Sequence, residues 1–442
     1  MRGFRGLLIL LIVAVPLVWF AYRESQKGPV DPNGTHDKVF TVEAAKIDEI
    51  EIKSEAGERT TLRRNGTGWA IVQPAVTAPP DEAAVSGITS GLASLEVQRV
   101  IDESPADVTE FGLAAPKVEV AFKSGGQQHR LQLGQKTPSG TDVYARLADQ
   151  KKVFLVSSFV ESTFNKSTFD LQDKSVLKLD REKVDALSVT AGGPEMRFTK
   201  ANGEWMLAAP VEARAEYSMV DGLVARLGGL QMKSIVAAPA AGNYGLDKPA
   251  ATVRIGSGSS LATLVIGGAA AEGTVYARDL ARPAVFTIES SLLDELKKDP
   301  SEYRQKDLFD ARSFNTSKLD IIRNGQTSSF AKTKAKDKDG KETETWRQTA
   351  PTARDVAAGT VEALISSATA ARAISFAPPG TKIDAASPEL VVALTFDDNK
   401  EERVTFGRTG ATAYAVRAGA QGAAVVESAV IDGIVKALEA VK

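Results

Sequence analysis

Gly68-Trp69-Ala70-Ile71-Val72-Gln73-Pro74 decides how this chain is read, because the same stretch is written three times. It returns as Glu204-Trp205-Met206-Leu207-Ala208-Ala209-Pro210 and as Thr345-Trp346-Arg347-Gln348-Thr349-Ala350-Pro351. Each Trp is followed five residues later by Pro, and the Trp-to-Trp spacings are 136 and 141 residues. The chain behind its N-terminus is therefore one unit repeated three times, in keeping with the roughly three domains that 442 residues suggest.

Working outward from Trp69, Asn65-Gly66 is a tight-turn signal, with Arg59 to Arg64 as the outgoing strand and Trp69 to Val72 as the return. Ile47, Ile50 and Ile52 mark an earlier strand. After Pro79-Pro80, Asp81 is a candidate N-cap, and Val85, Ile88, Leu92 and Leu95 fall at helical spacing. A strand-like Val97 to Ile101 follows, then a loop with Phe111-Gly112-Leu113 and Pro116. Val118, Val120 and Phe122 alternate with polar residues before Gly125-Gly126 turns the chain into a strand ending at Gly134. Val143-Tyr144-Ala145-Arg146, Val153 to Val156 and a short helix near Ser157 to Phe164 complete a meander of hairpins with one apolar face.

The second unit matches at each landmark. Its helix stripe is Val220, Leu223, Leu227 and Leu230, and Tyr244-Gly245-Leu246 answers Phe111-Gly112-Leu113. Pro249 to Gly267 spans the same 18 residues as Pro116 to Gly134, and Val275-Tyr276-Ala277-Arg278 repeats the earlier strand letter for letter. The third unit has drifted: its stripe thins to Val361, Leu364, Ala368 and Ala371, and Ile383-Asp384-Ala385 stands where the aromatic-Gly-Leu loop is expected. Lys332 to Thr345 reads as an exposed hairpin tip, and a closing helix is expected around Val426 to Val441. Terminal units of arrays are often atypical. The expected fold is α+β: three tandem units of antiparallel hairpins with one main helix each, over 46–180, 181–316 and 317–442.

Ahead of them, Arg2 and Arg5 precede an apolar run of 17 residues from Gly6 to Tyr22. A basic flank and an apolar core form a Sec-type signal, and the run reaches the short end of the ~17–25 residues that span hydrocarbon. The bulky Val18-Trp19-Phe20-Ala21-Tyr22 is a poor cleavage site, so 1–22 is expected to be an uncleaved signal anchor, with the chain beyond Tyr22 outside the cytoplasm. Residues 23–45 carry Gly28-Pro29, Asp31-Pro32 and Asn33-Gly34, which is linker chemistry.

A net charge of −2 gives no electrostatic reason for a nucleic-acid partner. The absence of cysteine excludes disulfides, thiolate nucleophiles and Cys-type zinc sites. His36 and His129 have no metal-ligand spacing and read as structurally idle. Gly256-Ser257-Gly258 lacks the third glycine and the helix of a dinucleotide loop, and Asp337-Lys338-Asp339-Gly340 meets Trp346 where a calcium loop requires Glu. Trp69, Trp205 and Trp346 are expected in the core rather than on a stacking platform. Arg146 and Arg278 read as strand arginines facing solvent. No catalytic, cofactor-binding or metal residue is assigned, and no enzyme activity is expected.

The repeated Trp and its Pro, the Phe/Tyr-Gly-Leu-x-x-Pro loop and the Val-Tyr-Ala-Arg strand together resemble domain-of-unknown-function family 4340. The resemblance covers nearly everything after the linker and is clearest over 46–312. It implies a membrane-anchored bacterial protein of the inner membrane with its C-terminal units in the periplasm. It also implies an accessory role beside gliding-type ABC transporter components, with transporter subunits as partners. Two alternatives stand beside this: a glycan- or peptidoglycan-binding module, which requires exposed Trp, and a hydrolase whose carboxylates meet only in the fold.

Overall fold

The computed structural model describes residues 36–441 apart from 77, 237–243, 272, 337–341, 379–380, 382–387 and 398. The expected anchor lies outside the described residues, as do Asp337 to Gly340 and Ile383 to Ala385. Among the described residues no helix is long and apolar enough to cross a membrane. The chain forms two compact bodies, Met1–Lys174 with one sheet and Ser175–Lys442 with two.

In the first body the strands are β1 (Ile47–Lys53), β2 (Arg59–Asn65), β3 (Gly68–Gln73), β4 (Arg99–Asp102), β5 (Val118–Ser124), β6 (Gln127–Lys136), β7 (Asp142–Leu147) and β8 (Val153–Ser157). Helix α1 (Glu82–Ser94) joins β3 to β4, and α2 (Phe159–Phe164) follows β8. The sheet order is β3-β2-β1-β5-β6-β7-β8-β4, antiparallel throughout. The chain thus runs from the centre to one edge, crosses one face as α1 to the other edge, and returns to the centre as β5. Asp81 caps α1 as expected, its carboxylate accepting from the Ala83 and Ala84 amides at 2.9 and 3.0 Å.

The second body repeats this twice. Its first sheet comprises β9 (Ala186–Thr190), β10 (Met196–Ala201), β11 (Glu204–Ala209), β12 (Ala213–Arg214), β13 (Ser234–Ile235), β14 (Ala251–Ser257), β15 (Ser260–Ala269), β16 (Thr274–Asp279) and β17 (Phe286–Glu289), with helices α3 (Tyr217–Gly228) and α4 (Ser291–Leu296). Its second comprises β18 (Thr316–Arg323), β19 (Gln326–Lys336), β20 (Glu342–Ala350), β21 (Arg354–Asp355), β22 (Ser375–Phe376), β23 (Leu390–Phe396), β24 (Lys400–Thr409), β25 (Thr412–Arg417) and β26 (Ala424–Val426), with α5 (Ala358–Thr369) and α6 (Ser428–Glu439). The orders are β12-β11-β10-β9-β14-β15-β16-β17-β13 and β21-β20-β19-β18-β23-β24-β25-β26-β22, the first sheet's order with one two-residue strand added.

One face of each sheet meets the helices. In the first, Ile50, Ile52, Val120, Phe122, Leu131 and Leu133 pack under Val85, Ile88, Leu92 and Phe164, all buried. Burying such a side chain contributes about 1.5–3 kcal/mol. In the third unit Ala368 and Ala371 make room for α6, twice the length of α4, which brings Ile431 and Ile434 into the same core. The drift in the helix stripe is thus a repacking against a longer second helix.

The repeated Trp-to-Pro stretch has one backbone geometry. The register slips by a residue between Thr61 and Leu62, Arg197 and Phe198, and Ser329 and Phe330, so each return strand carries a bulge, at Val72, Ala208 and Thr349. The peptide bonds Gln73–Pro74, Ala209–Pro210 and Ala350–Pro351 are all cis.

Candidate functional site

Each repeated Trp faces a cation across its hairpin. Arg64 pairs with Trp69, Lys200 with Trp205 and Lys332 with Trp346, the cations lying 5.0, 5.5 and 5.5 Å from the ring centroids. Trp205 and Trp346 are each 2% exposed, so no sugar face reaches them. Trp69 departs from the expectation of full burial: it packs on the first core but stays half-buried, under Arg64.

The aromatic-Gly-Leu loops lie on the sheet face opposite the helices. Phe111 packs on Tyr144 and Tyr244 on Tyr276, with centroids 5.0 and 4.8 Å apart. On that face Lys53, Glu119, Gln132 and Arg146 stand in one cross-strand row. Lys53 donates to Glu119 at 3.0 Å, Gln132 to Glu119 at 3.3 Å, and Arg146 Nε to Gln132 at 2.7 Å. Burial alone would raise the Glu119 carboxyl, yet Lys53 and Gln132 together hold it below its ordinary value. The equivalent row in the second unit is Thr190, Thr252, Val265 and Arg278, so Arg278 has kept its place after its partners changed. Its Nε is buried with no acceptor among the described residues.

His129 stacks on Phe122 at 4.9 Å and meets Phe40 edge-on at 5.6 Å, which gives it a packing role. Gly256-Ser257-Gly258 is a hairpin tip whose Ser257 hydroxyl and Gly258 amide donate to Asp185 at 3.1 and 3.0 Å. No group of three or more metal-ligating side chains occurs among the described residues.

A concavity lies in the second body, where the segment between its two sheets passes from Pro300 to Thr316. It is a cleft of about 300 Å³ with Met206, Leu308 and Phe376 as apolar walls and Arg214, Arg304 and Arg417 as charged ones. Two of these cations are neutralised. Arg214 pairs with Asp310 and donates to the Asp307 carbonyl at 2.7 Å, and Arg417 pairs with Glu402 and reaches Asp310 at 3.3 Å. Glu402, 5% exposed, also accepts from the Asp310 and Ala311 amides. Asp307 holds Arg312 at 3.1 Å and Arg372 at 2.9 Å. Burial would raise the Asp310 carboxyl, but Arg214 and Arg417 outweigh it and keep it below its ordinary value. Asp307, Asp310 and Glu402 are each paired with arginine, which is the chemistry of a joint.

Arg304 is different. Its guanidinium lies 3.7 Å from the Phe376 ring centroid, and its one hydrogen bond among the described residues runs from Nη2 to the Gln421 carbonyl at 3.2 Å. Nε is buried without an acceptor, and burial pushes the group below its ordinary pKa. Sequence reading missed this site because its residues come from five separate segments; the basic and acidic pair Arg304 and Asp307 beside the third unit was the one local signal.

A family model described as "Domain of unknown function (DUF4340)" matches residues 69–206 and 205–390, most of the chain. The two matches begin at Trp69 and Trp205, equivalent positions of the repeat. No curated protein matches. Two solved structures of the DNA polymerase III subunit beta from Pseudomonas aeruginosa, one bound to griselimycin, are similar at 9% identity and a TM-score of 0.14. The matches cover 87% and 86% of this chain and 92% of each structure. A TM-score so low carries no argument about fold or function.

Proposed function

The chain belongs to the family of the domain of unknown function DUF4340, and from that premise we propose that it is a single-pass, signal-anchored protein of the bacterial inner membrane, its three units standing in the periplasm. It serves there as a non-enzymatic accessory or scaffold of an ABC-type export system and binds transporter subunits. The observation that carries this reading is the threefold repetition of one sheet whose second face has, among the described residues, no α-helix packed on it, only the short 3-10 turn Thr109–Phe111 in the first unit. That face presents an exposed Arg on the same cross-strand pair in each unit: Ala121–Arg130, Arg254–Thr263 and Ala393–Arg403. Three copies of one surface favour multivalent docking, in which linkage raises avidity with no new contact. The apolar run Gly6 to Tyr22 supports the anchor.

A glycan- or peptidoglycan-binding module would have to use surfaces other than Trp205 and Trp346, which are buried. The experiment is purification of the tagged full-length protein from its native membranes in mild detergent, with mass spectrometry of the proteins that accompany it. Stoichiometric transporter subunits, lost when residues 1–22 are exchanged for a cleavable signal, support the scaffold. A partnerless protein sinks it.

A further inference from the structure

We propose that the cleft at the joint of the second and third sheets is a binding site for a carboxylate carried on a short aliphatic body, with Arg304 as its anchor. This goes beyond the scaffold reading and does not depend on it. Of the five arginines gathered there, Arg214, Arg312, Arg372 and Arg417 each have a carboxylate partner, and Arg304 has none among the described residues. A cation desolvated without a counter-ion is costly, and an incoming anion recovers that cost.

Phe376 fixes the plane of the guanidinium from one side, and the Gln421 carbonyl holds one edge. The remaining Nη donors are left to meet the two oxygens of a carboxylate, the geometry a guanidinium fork matches best. Met206, Leu308 and Phe376 supply an apolar wall beside it. The cleft's ~300 Å³ is at the small end of ligand sites, the scale of one short aliphatic acid or a chain terminus. Glu212 is the exposed carboxylate of the lining and disfavours a dianion, which selects a single negative charge. Gly419 and Gly422, at φ 77° and 80°, shape the loop that brings the Gln421 carbonyl to the site.

The test is calorimetric titration of the full-length protein in detergent with hexanoate and hexanamide, and with the peptide acetyl-Ala-Leu-Val as free acid and as amide. The expected result is that at least one free acid binds and its amide binds at least tenfold more weakly. Arg304→Gln should lower acid binding at least tenfold while Arg304→Lys retains part of it. Preference for the peptide acid identifies a polypeptide C-terminus as the natural source, and preference for hexanoate identifies a free aliphatic acid. The acid–amide contrast is read on the unmutated protein, so it stands even where Arg304→Gln fails to fold. Absence of binding by both acids, equal binding of acid and amide, or undiminished binding in a folded Arg304→Gln variant would overturn the assignment.

Discussion

The carbonyl oxygen of Phe111 sits so close over Gly134 that a Cβ built there would lie 2.1 Å from it. Gly267 and the Tyr244 carbonyl repeat the relationship at the same 2.1 Å, whereas a Cβ on Gly407 meets nothing within 4 Å among the described residues. Gly134→Ala and Gly267→Ala should therefore each cost about 2 kcal/mol or more, because the clash is with backbone and cannot be relieved by a rotamer change. Gly407→Ala should be close to neutral. Thermal or urea unfolding of the three variants checks the contrast.

Arg146 and Arg278 occupy equivalent positions with opposite surroundings. Arg146→Leu removes a 2.7 Å hydrogen bond that closes a four-strand row and should cost about 1 kcal/mol. Arg278→Leu removes a buried donor that has no acceptor among the described residues, so it should be neutral or stabilise by up to about 1 kcal/mol. Equal losses in urea melts would contradict this.

Asp310 contributes a pH dependence of known sign. Its carboxyl is held below the ordinary value in the folded chain, so its stabilisation is present above the ordinary carboxylate pKa of about 4 and is lost as pH falls through the lower folded value. Acid unfolding of Asp310→Asn should be shallower in that window than that of the parent, and the two curves should run parallel at neutral pH.

Tyr303 does the reverse at high pH. It is fully buried, its hydroxyl donates to the Glu295 carbonyl at 3.2 Å, and burial pushes its pKa from 10.0 up to about 12. The folded chain keeps this proton longer than the unfolded one, so its contribution to stability is complete below pH 10.0 and falls as pH rises towards 12. In an ultraviolet tyrosinate titration Tyr303→Phe should remove the last group to ionise before unfolding.

Much of this fold was written locally. The alternation at Val118, Val120 and Phe122, the stripe from Val85 to Leu92 and the cap at Asp81 each act within a few residues, and the structure has them as expected. The purpose of Gly134 was legible only as an 18-residue interval shared by the first two units, because the atom it avoids belongs to a loop more than twenty residues earlier. Trp69 looked identical to Trp205 and Trp346, yet its exposure differs because burial depends on the groups packed beyond the hairpin. The Arg304 cleft was illegible for the same reason: Phe376, Gln421 and Met206 share no pattern until two strands, the loop after β25 and a connecting segment meet.

In the scaffold reading, the sheet faces opposite the α-helices carry the partners. A photo-crosslinking residue placed in living cells at Arg130, Arg254 or Arg403, each exposed on that face, should give a discrete adduct with an envelope protein. The same residue at the exposed helix positions Ser90, Ser218 or Glu362 should give none. Adducts confined to the helix positions, or absent from all six, would contradict the claim.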